Sequence, residues 1–234
     1  MLGICNYTVF LTYLSLISAS TGVFITLSGH GHPYLGTFFL LFCGLCDAFD
    51  GKVARMKKNR TEYEKSFGIQ IDSLSDLVAF GILPASIGYS LIRLSSFLTK
   101  ISGRLPYPWQ GKAITVLFTA VLVAYVLAAL IRLAHFNVME EQRQRDEVGN
   151  RRFYTGLPVT SSALIFPSIL LLNYLLPIDV TPFYILAALL VAFAFLFKFN
   201  VHKPGLRGIL IMVGIGALEF ALILVLHFCF KQKV

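Results

Sequence analysis

The chain has 234 residues, 56% of them hydrophobic, with a mean hydropathy of +0.74 and a formal net charge of +8. That balance is far more apolar than a soluble domain carries, so a soluble fold is excluded and an integral membrane protein is indicated. The positive charge is not a nucleic-acid footprint, because the basic residues flank apolar runs and no recognition module accompanies them.

Apolar runs of about twenty residues are long enough to cross a bilayer. They fall near residues 7–29, 34–56, 69–97, 112–138, 157–176, 181–199 and 206–230. The expected fold is all-α, a polytopic membrane helix bundle of about seven (six to eight) transmembrane helices, organised as one domain over residues 1–234. No secretory cleavage pattern follows the first run, so the first span is expected to stay in the mature chain. The connections at 51–68, 139–156 and 200–205 hold most of the Lys and Arg, and by the positive-inside rule they belong in the cytoplasm. Lys231 and Lys233 fit that orientation poorly.

The first span is rich in Ser, Thr, Ala and Gly, which let helices approach closely in lipid. It reads as a packing face, with Thr12 and Ser15 as candidates for lining a headgroup pocket. The GHGHP connection at 29–33 reads as a tight solvated turn. In the second span Cys43 and Cys46 have the spacing of a redox pair, yet they sit on a helix beside lipid and read as small packing residues.

The segment 47–76 carries four of the six aspartates of the chain. Asp47 and Asp50 are three apart, Asp72 and Asp76 four apart, so each pair shares one helix face. Four carboxylates left together at a membrane edge would repel one another. A hard divalent cation resolves that conflict, and a pair of them suits phosphoryl chemistry. Beside Asp50, Gly51 leaves the helix backbone open to a flat base or a diphosphate, and Ala54 keeps the same surface low. Arg55 reads alone as an interfacial snorkelling side chain, and in this register as a fork for phosphate oxygens.

The string D-x-x-D-G-x-x-A-R followed by G-x-x-x-D-x-x-x-D, here Asp47, Asp50, Gly51, Ala54, Arg55, Gly68, Asp72 and Asp76, resembles the signature of the CDP-alcohol phosphotransferases. Twelve residues separate Arg55 from Gly68, more than the family's usual spacing, which bears on loop positions such as Ser66. SFGIQIDSLSDLVAFGILPA, RLAHFNV and YTGLPV are similar to the phosphatidylserine synthase branch. This resemblance implies transfer of a phosphatidyl group from CDP-diacylglycerol to L-serine with release of CMP, by a homodimer; the distribution of Lys and Arg places the site at the cytoplasmic face of the cell membrane. The resemblance further implies two divalent ions, Mg²⁺ or Mn²⁺. Asp47, Asp50 and Asp72 would hold the first and Asp47, Asp72 and Asp76 the second. Asp76 would be the general base, and Gly51, Arg55 and Gly68 would contact the CDP moiety.

Acceptor candidates lie further on: Arg132 and Asn137 near the end of the fourth span, and Arg151 and Arg152 before the fifth. His135 reads as a packed helix residue. Asp179 reads as a solvated turn residue, and Glu219 as protonated, or paired within the bundle or at an oligomer interface. Gly205, Gly208, Gly214 and Gly216 suggest close helix contact. Two other functions fit part of the pattern: the same transfer to glycerol 3-phosphate or inositol phosphate, and a divalent-cation transporter or channel. The second accounts for the acids but not for Gly51, Ala54 and Arg55.

Overall fold

The structure, a computed structural model, describes residues 7–28, 32–57, 61–146, 153–175, 178–198, 200–202 and 206–229. A short 3-10 turn, Tyr7–Val9, leads into α1 (Phe10–Leu27), and Pro33 opens α2 (Pro33–Met56) at the position where a missing N–H costs nothing. These two helices pack along each other, and the small residues of α1 form the seam: Ser15, Ser18, Ala19, Gly22 and Thr26 are buried. Cys43 and Cys46 are buried as well, and the Cys43 thiol donates to the Ser15 carbonyl at 3.3 Å. The packing roles expected of this span and of both cysteines hold.

The stretch expected to be a cytoplasmic loop is mostly helical. α2 continues to Met56 and α3 (Glu62–Asp76) begins soon after. Thr61 and Glu64 form a reciprocal cap, Glu64 N–H to Thr61 Oγ1 at 3.2 Å and Thr61 N–H to Glu64 Oε2 at 3.1 Å. Lys57 at the end of α2 meets Glu64 Oε1 at 2.5 Å, so the cap also ties the two helices together. The signal, Thr61-x-x-Glu64, was present in the sequence.

α3 does not end at Asp76 but widens into a π turn, Leu77–Ile82, before resuming as α4 (Leu83–Leu94). Pro84 is the physical reason. It has no N–H to offer the carbonyl of Phe80, four residues back, and in a bilayer that oxygen needs another donor. It has two: the hydroxyl of Tyr125 and Ser162 Oγ, the latter at 3.2 Å. Tyr184 OH in turn donates to Pro84 O at 2.7 Å. Both tyrosines are fully buried, and with Phe166 they form a ring cluster at the centre of the core.

α5 (Ser96–Arg104) is a short helix, and α6 (Pro108–Asp146) is the longest element, 39 residues, extending well beyond the expected 112–138. Then come β1 (Phe153–Thr155), a 3-10 turn at Val159–Ser161, α7 (Ser162–Leu175), α8 (Thr181–Leu196), β2 (Asn200–His202) and α9 (Leu206–Cys229). β1 and β2 pair antiparallel, Phe153 with His202 and Thr155 with Asn200. This small ribbon was not anticipated. It joins the 139–156 and 200–205 connections, which places them on one side, as the charge distribution required.

Among the described residues four helical segments are long and apolar enough to cross a membrane, Tyr7–Leu27, Pro33–Ala54, Glu62–Leu94 and Pro108–Gln142. Val159–Asn173, Thr181–Leu196 and Ile211–Val225 are shorter apolar helices, so the described residues hold a seven-segment bundle. At its other end Asp179 is not simply solvated. Its carboxylate accepts from Ser95 Oγ at 2.7 Å, Phe97 N–H at 2.8 Å and Thr181 N–H at 2.9 Å, capping α5 and α8 together. Glu219 is buried on α9 and accepts from Ser168 Oγ on α7, a pairing within the bundle. Of the late glycines, Gly205 lies outside the described residues, and a Cβ at Gly214 would meet nothing within 4 Å among them, so no close contact there requires it.

Candidate active site

Two helices supply the acidic pairs. Asp47 and Asp50 lie on the last three turns of α2, and Asp72 and Asp76 on the last turns of α3 before the π turn. All four are half-buried. The Asp50 and Asp72 side chains lie close to one another across the helix pair. Asp47 is within electrostatic reach of Asp72, and Asp76 within reach of the other three. Lys57–Glu64 and Lys65–Glu62, ion pairs on the same two helices, involve none of the four aspartates. Nor, among the described residues, do three Asp, Glu, His or Cys side chains already close on a common point as a metal cage. The donor set is nonetheless carboxylate oxygen only, which is the chemistry that hard divalent cations select and that soft ones do not.

Neighbouring residues hold the two helices in register. Ser75, beside Asp76, is buried and donates to the Thr12 carbonyl at 3.1 Å. Ser73, beside Asp72, donates to Asn137 Oδ1 at 2.9 Å. α1 and α6 thus brace α3 from two sides, one hydroxyl next to each acid. Sequence reasoning named Thr12 and Asn137 but missed Ser73, Ser75 and the π turn. Pro84, four residues after Phe80, was the available signal for that turn.

Gly51 and Ala54 are half-buried on α2 beside and one turn beyond Asp50, and Arg55 occupies the same last turn. Gly68 is half-buried one turn before Asp72, while Ser66 is exposed on the first half of α3. Thr12 and Ser15 are both buried in the α1 seam, and Ser15 Oγ has no hydrogen-bond partner among the described residues. Arg132 and Asn137 are not brought together. Five residues apart on one helix, they point about 140° away from each other. Asn137 faces α3, whereas buried Arg132 donates from Nε to Leu157 O at 3.1 Å and from Nη2 to Gly156 O at 3.3 Å. Gly156 has φ +81°, and a Cβ there would lie 2.9 Å from the Phe197 carbonyl, so this tight turn needs glycine. Arg151 and Arg152 lie outside the described residues.

A bundle of apolar helices that gathers four carboxyls at one end defines a membrane protein with a built acidic centre on the scaffold of two adjoining helices. The sequence profile of the CDP-alcohol phosphatidyltransferase family matches residues 5–199, and the chain belongs to that family. The family is generally dependent on divalent metal. Among curated proteins the chain is similar to the CDP-diacylglycerol--serine O-phosphatidyltransferase of Saccharomyces cerevisiae, 31% identical over 163 residues, 65% of this chain and 50% of that one. It is also similar to the archaetidylserine synthase of Methanothermobacter thermautotrophicus, 30% identical over 69% of this chain and 57% of that one. A third relative, the CDP-diacylglycerol--serine O-phosphatidyltransferase of Helicobacter pylori, is 26% identical over 71% of this chain and 54% of that one. The chain spans about half the length of the curated relatives it matches.

Proposed function

We propose that the chain transfers the phosphatidyl group of CDP-diacylglycerol to the hydroxyl of L-serine, giving phosphatidylserine and CMP. The observation that carries this is the convergence of Asp47, Asp50, Asp72 and Asp76 on adjoining faces of α2 and α3, with Gly51, Ala54 and Arg55 following on α2. Relatives named for serine transfer supply the acceptor.

Asp47, Asp50 and Asp72 would hold one Mg²⁺ or Mn²⁺, and Asp47, Asp72 and Asp76 a second. Bound there, such ions offset charge on phosphoryl oxygens and on the leaving CMP. The protein's own part is positioning and proton transfer. Gly51 and Gly68 leave helix backbone open where the CDP moiety lies, and Arg55 provides a cation for its phosphate oxygens. Asp76 takes the proton of the serine hydroxyl as that oxygen forms its bond to the phosphatidyl phosphorus. The bond from that phosphorus to the CMP oxygen breaks, and CMP leaves with the electron pair. Ser75 and Ser73 hold Asp76 and Asp72 in place by anchoring α3 to α1 and α6. The acyl chains stay in lipid between helices.

On the acceptor side, Asn137 stands next to α3, and Arg151 and Arg152 remain candidates for the serine carboxylate. Arg132 serves the site through the 156–157 turn that it holds. The reaction side is cytoplasmic by the distribution of Lys and Arg, and the working unit is a homodimer by family resemblance.

The test is CMP release by the purified protein with CDP-diacylglycerol and Mg²⁺ or Mn²⁺, comparing L-serine with glycerol 3-phosphate and inositol phosphate. Release that requires L-serine is expected. Release only with a phosphorylated acceptor moves the chain to another branch of the family. Cation flux into vesicles without CMP release overturns the enzymatic reading.

A further inference from the structure

α6 presents two different flanks at the aspartate end of the bundle. Asn137 lies on the flank that meets α3. His135, two residues earlier, lies on nearly the opposite side. There a cavity of about 190 Å³ opens between α6 and the end of α8. Three cationic or protonatable side chains line it, Arg132, His135 and Lys198, together with Ile131, Phe195 and Phe197, and among the described residues no acidic side chain does. Arg132 is buried and fixed by the 156–157 carbonyls, so its charge sits at the back of the cavity. His135 and Lys198 are exposed at its mouth. Ile131 and Phe197 flank the opening and are also exposed, at 47% and 68%.

This arrangement matches one kind of ligand. A cationic pocket between membrane helices at headgroup depth, rimmed by apolar side chains that face lipid, suits an anionic phosphate carried on acyl chains. A soluble phosphate would gain nothing from the exposed Ile131 and Phe197. We propose that this α6–α8 cavity binds the headgroup phosphate of an anionic phospholipid, at a site separate from the aspartate centre and on the other flank of α6. The lipid phosphate sits between Lys198 and His135 with the Arg132 charge behind it, and its chains lie over Ile131 and Phe197. The site stands whether or not the transferase reading holds, because it uses none of the four aspartates.

The chain has one tryptophan, Trp109, at the far end of α6, which allows a local probe. Phe197→Trp is made in a Trp109→Phe background and reconstituted into phosphatidylcholine vesicles containing a minor fraction of brominated phosphatidic acid, or the same fraction of brominated phosphatidylcholine. Bromine quenches the indole fluorescence on contact. The anionic lipid should quench as if enriched roughly fivefold or more over its bulk fraction, the effect of one interfacial cation. Adding Lys198→Gln and His135→Gln should bring the enrichment down by about that factor, while Lys198→Arg should keep it. Both replaced side chains are exposed, so elution as the same detergent-solubilised species checks that the variants fold. Equal quenching by the two brominated lipids overturns the proposal, as does enrichment that survives loss of Lys198 and His135. Displacement of the brominated lipid by inorganic phosphate at matched ionic strength would identify a soluble anion as the ligand and overturn the lipid assignment.

Discussion

Replacing Tyr125 by Phe deletes one hydroxyl from the centre of the bundle and leaves the ring contacts with Phe166 and Phe195 in place. The hydroxyl donates to Phe80 O, the carbonyl that Pro84 cannot serve, and Ser162 Oγ donates to the same oxygen. With either donor alone the carbonyl stays satisfied, so Tyr125→Phe and Ser162→Ala should each cost about 1 kcal/mol, the net worth of one hydrogen bond. Ser162 also donates to Val159 O, so part of its cost belongs to the 3-10 turn before α7. Removing both donors strands a carbonyl where no water replaces them, and the double variant should lose about 1–3 kcal/mol beyond the sum of the singles. The assay is reversible unfolding in mixed micelles, titrated with denaturing detergent, for all four members of the cycle. The π turn begins immediately after Asp76, so CMP release should fall with the double variant and little with either single. Strict additivity, or a double variant as stable as the parent, would refute the claim that these hydroxyls act together to replace the N–H absent at Pro84.

The acidic residues separate by role. Asp76→Asn should abolish turnover while retaining most of the Mn²⁺ binding seen by titration, and near-normal turnover would remove Asp76 as the base. Asp50→Ala should instead shift the Mn²⁺ or Mg²⁺ titration to higher concentration; an unmoved titration counts against its role as a ligand. At the opposite end, burial pushes the Asp179 carboxyl up, but hydrogen bonds from Thr181, Phe97 and Ser95 outweigh it and hold the group below the ordinary carboxylate range. Its contribution is therefore complete above the unfolded value of 3.8 and fades as pH falls through the lower folded value. Asp179→Asn should flatten that acid limb of the stability profile, which melting curves across the range would register. Gly36→Ala would place a Cβ 2.1 Å from Thr26 Oγ1 and 3.0 Å from Ile87, at a cost of about 1–3 kcal/mol, whereas Gly214→Ala should be neutral or stabilising. Equal thermal stability of the two variants would contradict the seam between α1 and α2.

What the sequence made legible follows from local spacing. Apolar runs marked the spans, and three- and four-residue intervals put each pair of aspartates on one face, because both signals repeat within a single helix. Asp179 was misread as solvated for the opposite reason. Its donors Ser95 and Phe97 lie more than eighty residues away and form no pattern with it. The β ribbon pairs strands separated by α7 and α8, and three-residue strands carry too little alternation to be seen. The long connection between Arg55 and Gly68 was taken for loop because its polarity outweighed its caps. Thr61 and Glu64 had already marked a helix start there.

Arg132 and Asn137 show where a motif stops being informative. They share one short string, so sequence proximity suggested one pocket, yet helical geometry sends them to different neighbours. Asn137 contacts α3 through Ser73, and Arg132 anchors the turn at Gly156. The arginine is therefore needed even if it never touches an acceptor, since a buried guanidinium fixed by two carbonyls sets how the chain enters α7. α7 then delivers Ser162 to Phe80 O, just beyond Asp76. The acidic centre thus depends on a chain of backbone carbonyls, each served by a distant side chain. That dependence links Arg132, Ser162 and Tyr125 to Asp76 without any of the three contacting substrate.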